Sequence, residues 1–343
     1  GFRVYDIASI ANKGFSERII TAPFSPLGHD THVDTANATC MALPTNQPIA
    51  PTRNTEQIRQ MNEEQSFLPI YSYAAISDAV EGLILVNVNT LADGEFRNNH
   101  LARATYADGS DAWNPEGVLD GARHIHLAGE VAYITADVGL VVVDLADPTR
   151  PELTAVIPMN DARASAIQFR YLWVTDADGV KLFDVTDLRQ PVQRTQGTFL
   201  LPDARRIYIA RTYLYVAAGA DGLVMLDVTR PLAPQRHVPP APYANPWPAG
   251  ETPDAQDVIV ASTNASLFAY VADGRNGMKV FQMTSPDSQP NYYGFSPAPM
   301  PELIAWARTQ SPAISLSKGL DRDRAVDETG GQMAVFGRLG SRP

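Results

Sequence analysis

Cysteine is nearly absent from this 343-residue chain: Cys40 stands alone, so no internal disulfide can form. That leaves the compartment open, because many exported bacterial proteins also lack disulfides. No apolar run approaches the roughly 20 residues a spanning helix needs. Positive charge is also scarce, with 27 Lys and Arg against 38 Asp and Glu, a net charge of −11 and a pI near 5.0. A phosphate backbone would be repelled rather than gathered, which argues against nucleic acid as a partner. There is no G-x-S-x-G, H-E-x-x-H or Walker-type glycine loop, so the common nucleophilic, zinc-hydrolytic and nucleotide-binding signatures are missing. The chain opens GFRVYDI, with neither an initiator Met nor the basic and apolar regions of a signal peptide. The expectation is a piece of a longer, processed protein.

What is present is ordinary globular composition, 45% apolar and 19% charged, with 27 prolines and 23 glycines scattered between short apolar runs. That distribution favours many short strands and turns over long helices. A glycine, an apolar run and a polar residue five places on recur six times: GFRVYD at Gly1, GLILVN at Gly82, GLVVVD at Gly139, GVKLFD at Gly179, GLVMLD at Gly222 and GMKVFQ at Gly277. The middle copies are 40 and 43 residues apart, the period of four-stranded propeller blades. One unit reads as four strands, HIHLA, VAYITA, GLVVVDL and ELTAVIP. An aromatic precedes the glycine in four units (Tyr133, Trp173, Tyr215, Tyr270) and a proline follows it (Pro151, Pro191, Pro234, Pro290). LVVV is apolar on both strand faces, which suits a sheet sandwiched between sheets.

The motifs GLVVVDLADPTRP, GVKLFDVTDLRQP and GLVMLDVTRPLAP resemble the LVIVD repeat family. That resemblance implies an all-β chain: a β-propeller of about six to seven four-stranded blades in an exported, periplasmic, extracellular or cell-surface bacterial protein. It is nearly silent about activity. Some large members of this kind are joined to c-type haem segments. Here there is no C-x-x-C-H, so no cofactor is expected in this segment, and haem would sit on the remainder of a longer chain. The expected organisation is a single propeller domain over 1–343, a Pro-, Thr-, Asn- and Gln-rich insertion over 19–68 and a C-terminal extension over 297–343. Short helices are expected at TEQIRQMNEEQ and PELIAWARTQ, and a last strand at QMAVFG.

Candidate chemistry concentrates just before each first strand. DGARHIHLA, DARASAIQF, DARRIYIA and DAQDVIVA align, which places Arg123, Arg163, Arg205 and Gln256 at equivalent positions. First strands line a propeller's channel, so these side chains form a candidate anion site, since arginine forks hold carboxylates and phosphates. The preferred alternative is that each arginine pairs with an aspartate (Asp120, Asp161, Asp203) of its own or the adjacent blade. His124 and His126 share one strand face and join the channel candidates, without a third metal ligand. His29, His32 and Asp34 in GHDTHVD are candidate metal donors, but an extended segment points the two histidines to opposite faces, and no metal is assigned. Asp-Gly turns at Asp108, Asp176, Asp221 and Asp273 lack the twelve-residue calcium loop and read as hairpin turns. The sixth motif position accepts Asp, Asn or Gln (Asp6, Asn87, Asp144, Asp184, Asp227, Gln282), which marks a structural acceptor rather than a catalytic acid. The leading expectation is a non-enzymatic recognition or scaffolding domain for a protein or cell-surface partner, or for other domains of the same chain. The rivals are an accessory domain of a haem-bearing redox protein and an enzyme with an anion or metal site in the channel.

Overall fold

The computed structural model describes residues 1–4, 32–44, 69–88, 100–239, 251–262, 266–285 and 296–316. The chain divides into two compact units, Gly1–Thr154 with Met333–Pro343, and Ala155–Gln332.

In the first unit, β1 (Phe2–Arg3) pairs with β2 (His32–Val33). A sheet follows from β3 (Ala38–Ala42), β4 (Tyr73–Asp78) and β5 (Gly82–Asn87), widened by single bridges from Leu83 to Trp113 and from Val86 to Arg103. The next sheet runs β6 (His124–Ala128), β7 (Val131–Ala136), β8 (Gly139–Asp144) and β9 (Glu152–Pro158), and the division between units falls within β9. These are the four strands read from the sequence. β8 is buried at every position, as an apolar run with no wet face requires. Leu83 and Leu85 of one sheet pack with Ile125, Ile134, Val141 and Val143 of the other. Residues 38–42, inside the stretch read as an insertion, are instead the first strand of a sheet.

The second unit holds three sheets. β10 (Ala164–Gln168), β11 (Tyr171–Thr175) and β12 (Gly179–Asp184) are edged by β13 (Val192–Gln193) and β14 (Phe199–Leu200). β15 (Arg206–Ala210), β16 (Tyr213–Ala217), β17 (Leu223–Asp227) and β18 (Gln235–Arg236) form the next. β19 (Asp257–Ser262), β20 (Leu267–Ala272), β21 (Met278–Thr284) and β22 (Glu302–Ala307) form the last. Trp173, Leu182, Ile207 and Val224 fill one inter-sheet layer, and Tyr215, Met225, Val260 and Phe281 the other. Fully burying one such side chain is worth roughly 1.5–3 kcal/mol.

Antiparallel sheets in sequence order, each packed face to face on the next of its unit, are the blades of an all-β propeller fold. Five of the six glycine motifs supply third strands (β5, β8, β12, β17, β21), and their glycines adopt φ between +75° and +150°, which only glycine takes without strain. At Gly179 a Cβ would collide with the Phe199 carbonyl and the Leu201 amide of the passing chain. The expected six to seven blades are corrected to five, the sheets of three or more strands among the described residues, beside the two-stranded β1–β2 pair. The motif at Gly1 contributes only the two-residue β1, so counting motifs overstates the blades. The partly helical C-terminal tail is also corrected. PELIAWARTQ has good helix formers, yet residues 302–307 are the fourth strand of the last sheet, held by five register pairs with β21 that override local propensity. TEQIRQMNEEQ and QMAVFG lie outside the described residues.

Candidate functional site

Four first strands, β6, β10, β15 and β19, begin from the same backbone geometry. The amides of Arg123, Arg163, Arg205 and Gln256 donate to the carbonyls of Thr135, Thr175, Ala217 and Ala272, all at 2.8 Å. This fixes where each equivalent side chain leaves the sheet.

In the second unit these side chains form one alternating chain of charge. Arg163 Nε donates to Asp161 Oδ2 at 2.8 Å, its Nη1 donates to the Ala204 carbonyl at 3.0 Å, and Nη1 also lies 3.6 Å from Asp203 Oδ1. Arg205 grips Asp203 with two bonds, Nε to Oδ1 at 3.0 Å and Nη2 to Oδ2 at 2.9 Å, and reaches on to Asp254 Oδ1 at 3.4 Å. Gln256 Nε2 closes the series on the same Asp254 oxygen at 2.5 Å. Each arginine thus holds the aspartate two residues before it and the aspartate of the following sheet. Three carboxylates and two guanidiniums leave this rim with one formal negative charge. The Asp203 bond holds the Arg205 pKa above its ordinary value, against partial burial. Glycines make room for the acids: a Cβ at Gly219, where φ is +52°, would overlap Asp203 Oδ2, and one at Gly274 would overlap Asp254 Oδ2.

In the first unit Arg123 Nη2 donates to Asp137 Oδ1 at 2.6 Å. Its carboxylate partner is Asp137 of the β7–β8 turn, not Asp120, which accepts from Asn114 Nδ2 at 2.8 Å. His124 and His126 lie partly buried on one face of β6, and burial pushes His126 down to about 4. Among the described residues, no three His, Cys, Asp or Glu side chains form a group that could hold a metal ion. His32 Nε2 lies 3.4 Å from Asp34 Oδ1, His29 lies outside the described residues, and Cys40 is half-buried on β3. The Asp34 carbonyl is held by Arg103, which also grips Glu81 bidentately at 2.7 and 3.0 Å and depresses the Glu81 pKa.

At three of the six copies the sixth motif position is a backbone acceptor, whereas Gln282 Nε2 donates to Ser266 Oγ at 3.2 Å and Asp6 lies outside the described residues. Asp144, Asp184 and Asp227 accept the amides of Ala146, Thr186 and Thr229 at 2.8–3.0 Å. Asp108 and Asp176 do the same for their hairpin turns. Sequence reasoning missed two ion pairs on buried carboxylates, Lys181 with Asp176 and Lys279 with Asp273, the latter at 2.8 Å. Their one signal was a lysine two places after the motif glycine. A crevice of about 340 Å³ on the outer strands, lined by Leu223, Met225, Arg236, His237 and Val238, includes none of the rim side chains.

LVIVD repeats match at residues 121–156 and 203–235. Among solved structures, the chain is similar to Kluyveromyces lactis Hsv2 at 9% identity, over 72% of this chain and 60% of that one, with a TM-score of 0.39. The Myceliophteria thermophila Cps50 (Swd1) β-propeller domain shares 10% identity over 81% and 74% of the two chains, with a TM-score of 0.45. The extracellular domain of BT4673 from B. thetaiotaomicron shares 15% over 63% and 25%, with a TM-score of 0.40. The chain spans about 60% of the length of the Hsv2 chain it matches. No curated protein matches the sequence.

Proposed function

We propose that this LVIVD-repeat β-propeller is a non-enzymatic recognition or scaffolding domain of an exported or cell-surface protein, presenting its loops and outer strands to a protein or surface partner. One observation carries the reading: the side chains that looked most like a ligand site, Arg163, Arg205 and Gln256, are engaged by Asp161, Asp203 and Asp254 in an unbroken chain. A guanidinium already gripped bidentately by a carboxylate has little capacity left for an incoming anion. Arg123 is likewise engaged by Asp137. Export is the part of the reading that rests on the family resemblance.

The test is saturable binding of the purified chain to cell-envelope fractions of its source, together with an absorption spectrum and metal analysis of the native protein. Saturable binding with a clean protein spectrum is the expected result. A haem Soret band would move the function to an accessory role in electron transfer. Stoichiometric metal on this chain would return attention to His32, His124 and His126.

A further inference from the structure

Within the second unit, the outer edges are of two kinds. β13, β14 and β18 are two residues each, the short edge strands by which sheets avoid pairing with other chains. β22 is different: six residues, ELIAWA, without lysine or proline, and exposed at every position. Leu303, Ile304 and Trp306 are 39%, 48% and 52% exposed. A bulge leaves Ile304 with no register partner in β21, while Trp306 is opposite Lys279 and its ring Nε1 donates to the Asn276 carbonyl. Among the described residues β22 pairs only with β21, so its other edge carries unpaired backbone groups.

We propose that β22 pairs antiparallel with β22 of a second copy of this chain, about a two-fold axis at Ala305. The sequence EL-I-A-W-AR is self-complementary in that register. Ile304 meets Trp306 of the second copy, Leu303 meets Ala307, and Glu302 meets Arg308. Aromatic with β-branched and acid with base are the cross-strand pairs that stabilise antiparallel sheets, and a two-fold interface uses each pair twice. Glu302 and Arg308 have no ion-pair partner on their own chain among the described residues. The Arg308 guanidinium instead lies 5.0 Å from the Trp306 ring centre, beside the place where a facing Glu302 would arrive. Ile304, left without a neighbour in β21, gains one in the facing Trp306.

Sedimentation velocity of the full chain over a concentration series tests this. A monomer–dimer equilibrium is expected. Glu302→Arg and Arg308→Glu should each raise the dissociation constant by about tenfold or more, the cost of two like-charge pairs. The double variant, which restores opposite charges, should return it to within about threefold of the parent. Ile304→Lys, at an exposed site that does not disturb the fold, should give monomer with an unchanged circular dichroism spectrum. Monomer at every concentration up to roughly 100 µM, or a dimer indifferent to all four variants, overturns the proposal.

Discussion

Replacing Arg205 with alanine removes two bonds to Asp203 and the longer reach to Asp254. The Arg205 side chain is 31% exposed and the two carboxylates are 44% and 41% exposed, so solvent screens much of the Coulomb attraction. An exposed pair contributes up to about 1 kcal/mol. Bidentate geometry, a second acid and lost packing of the arginine stem raise the expected loss to about 1–2 kcal/mol. For a unit of this size that is a fall in melting temperature of roughly 2–8 °C, read by differential scanning calorimetry. The same instrument separates a structural rim from an anion site. A ligand present at about 100 times its dissociation constant stabilises by ~2.7 kcal/mol, so phosphate or citrate bound by Arg205 would raise the wild-type melting temperature and leave Arg205→Ala unmoved. The expected result is no anion-dependent rise in either protein. A saturable rise confined to the wild type would refute the reasoning and restore a channel anion site.

Gly219→Ala should destabilise by about 2–4 kcal/mol, more than Arg205→Ala, because a left-handed backbone costs an L-residue about 1–2 kcal/mol and the new methyl also displaces Asp203 from Arg205; urea denaturation measures it. His126, held down to about 4, binds its proton more readily in the unfolded chain, so stability should fall as pH drops from about 6.5 towards 4, by up to roughly 3 kcal/mol. His126→Gln should flatten that limb in melting curves taken across the pH range. Asp257 has the opposite sign: burial raises its pKa even though the Leu316 amide and Ser315 hydroxyl donate to it, so its contribution is present at low pH and lost as pH rises through the raised value. Asp257→Asn removes the titrating carboxyl and should flatten that slope in melting curves taken across the pH range, while leaving a single oxygen for the Val258, Ser315 and Leu316 donors.

Much of the blade was legible because its signals are local. The four strands from His124 to Pro158 were readable from period, turn residues and apolar runs, and the third-strand glycines announced the positive φ that each adopts. The Asp144, Asp184 and Asp227 caps followed from what an Asp, Asn or Gln position has in common, an oxygen acceptor. Less legible were features in which local and distant preferences disagree. Glu302–Ala307 favours helix by composition and becomes a strand by pairing with β21. Ala38–Ala42 looked like part of an insertion because its strand partners begin 31 residues after it ends, at Tyr73.

The sequence by itself determined the repeat, the strand-and-turn grammar of the regular blades and the placement of one Arg or Gln ahead of four first strands, since all of these depend on neighbours a few residues apart. Tertiary structure decided which charge meets which. Arg205 spans from Asp203 to Asp254, 49 residues away, Arg123 takes Asp137 rather than Asp120, and Lys279 finds Asp273 inside the protein. The Arg205–Asp254 contact depends on packing of one sheet on the next, and the Arg123 and Lys279 pairs on which turn residue the pairing of neighbouring strands brings within a few ångströms, beyond which the ionic bond weakens with distance.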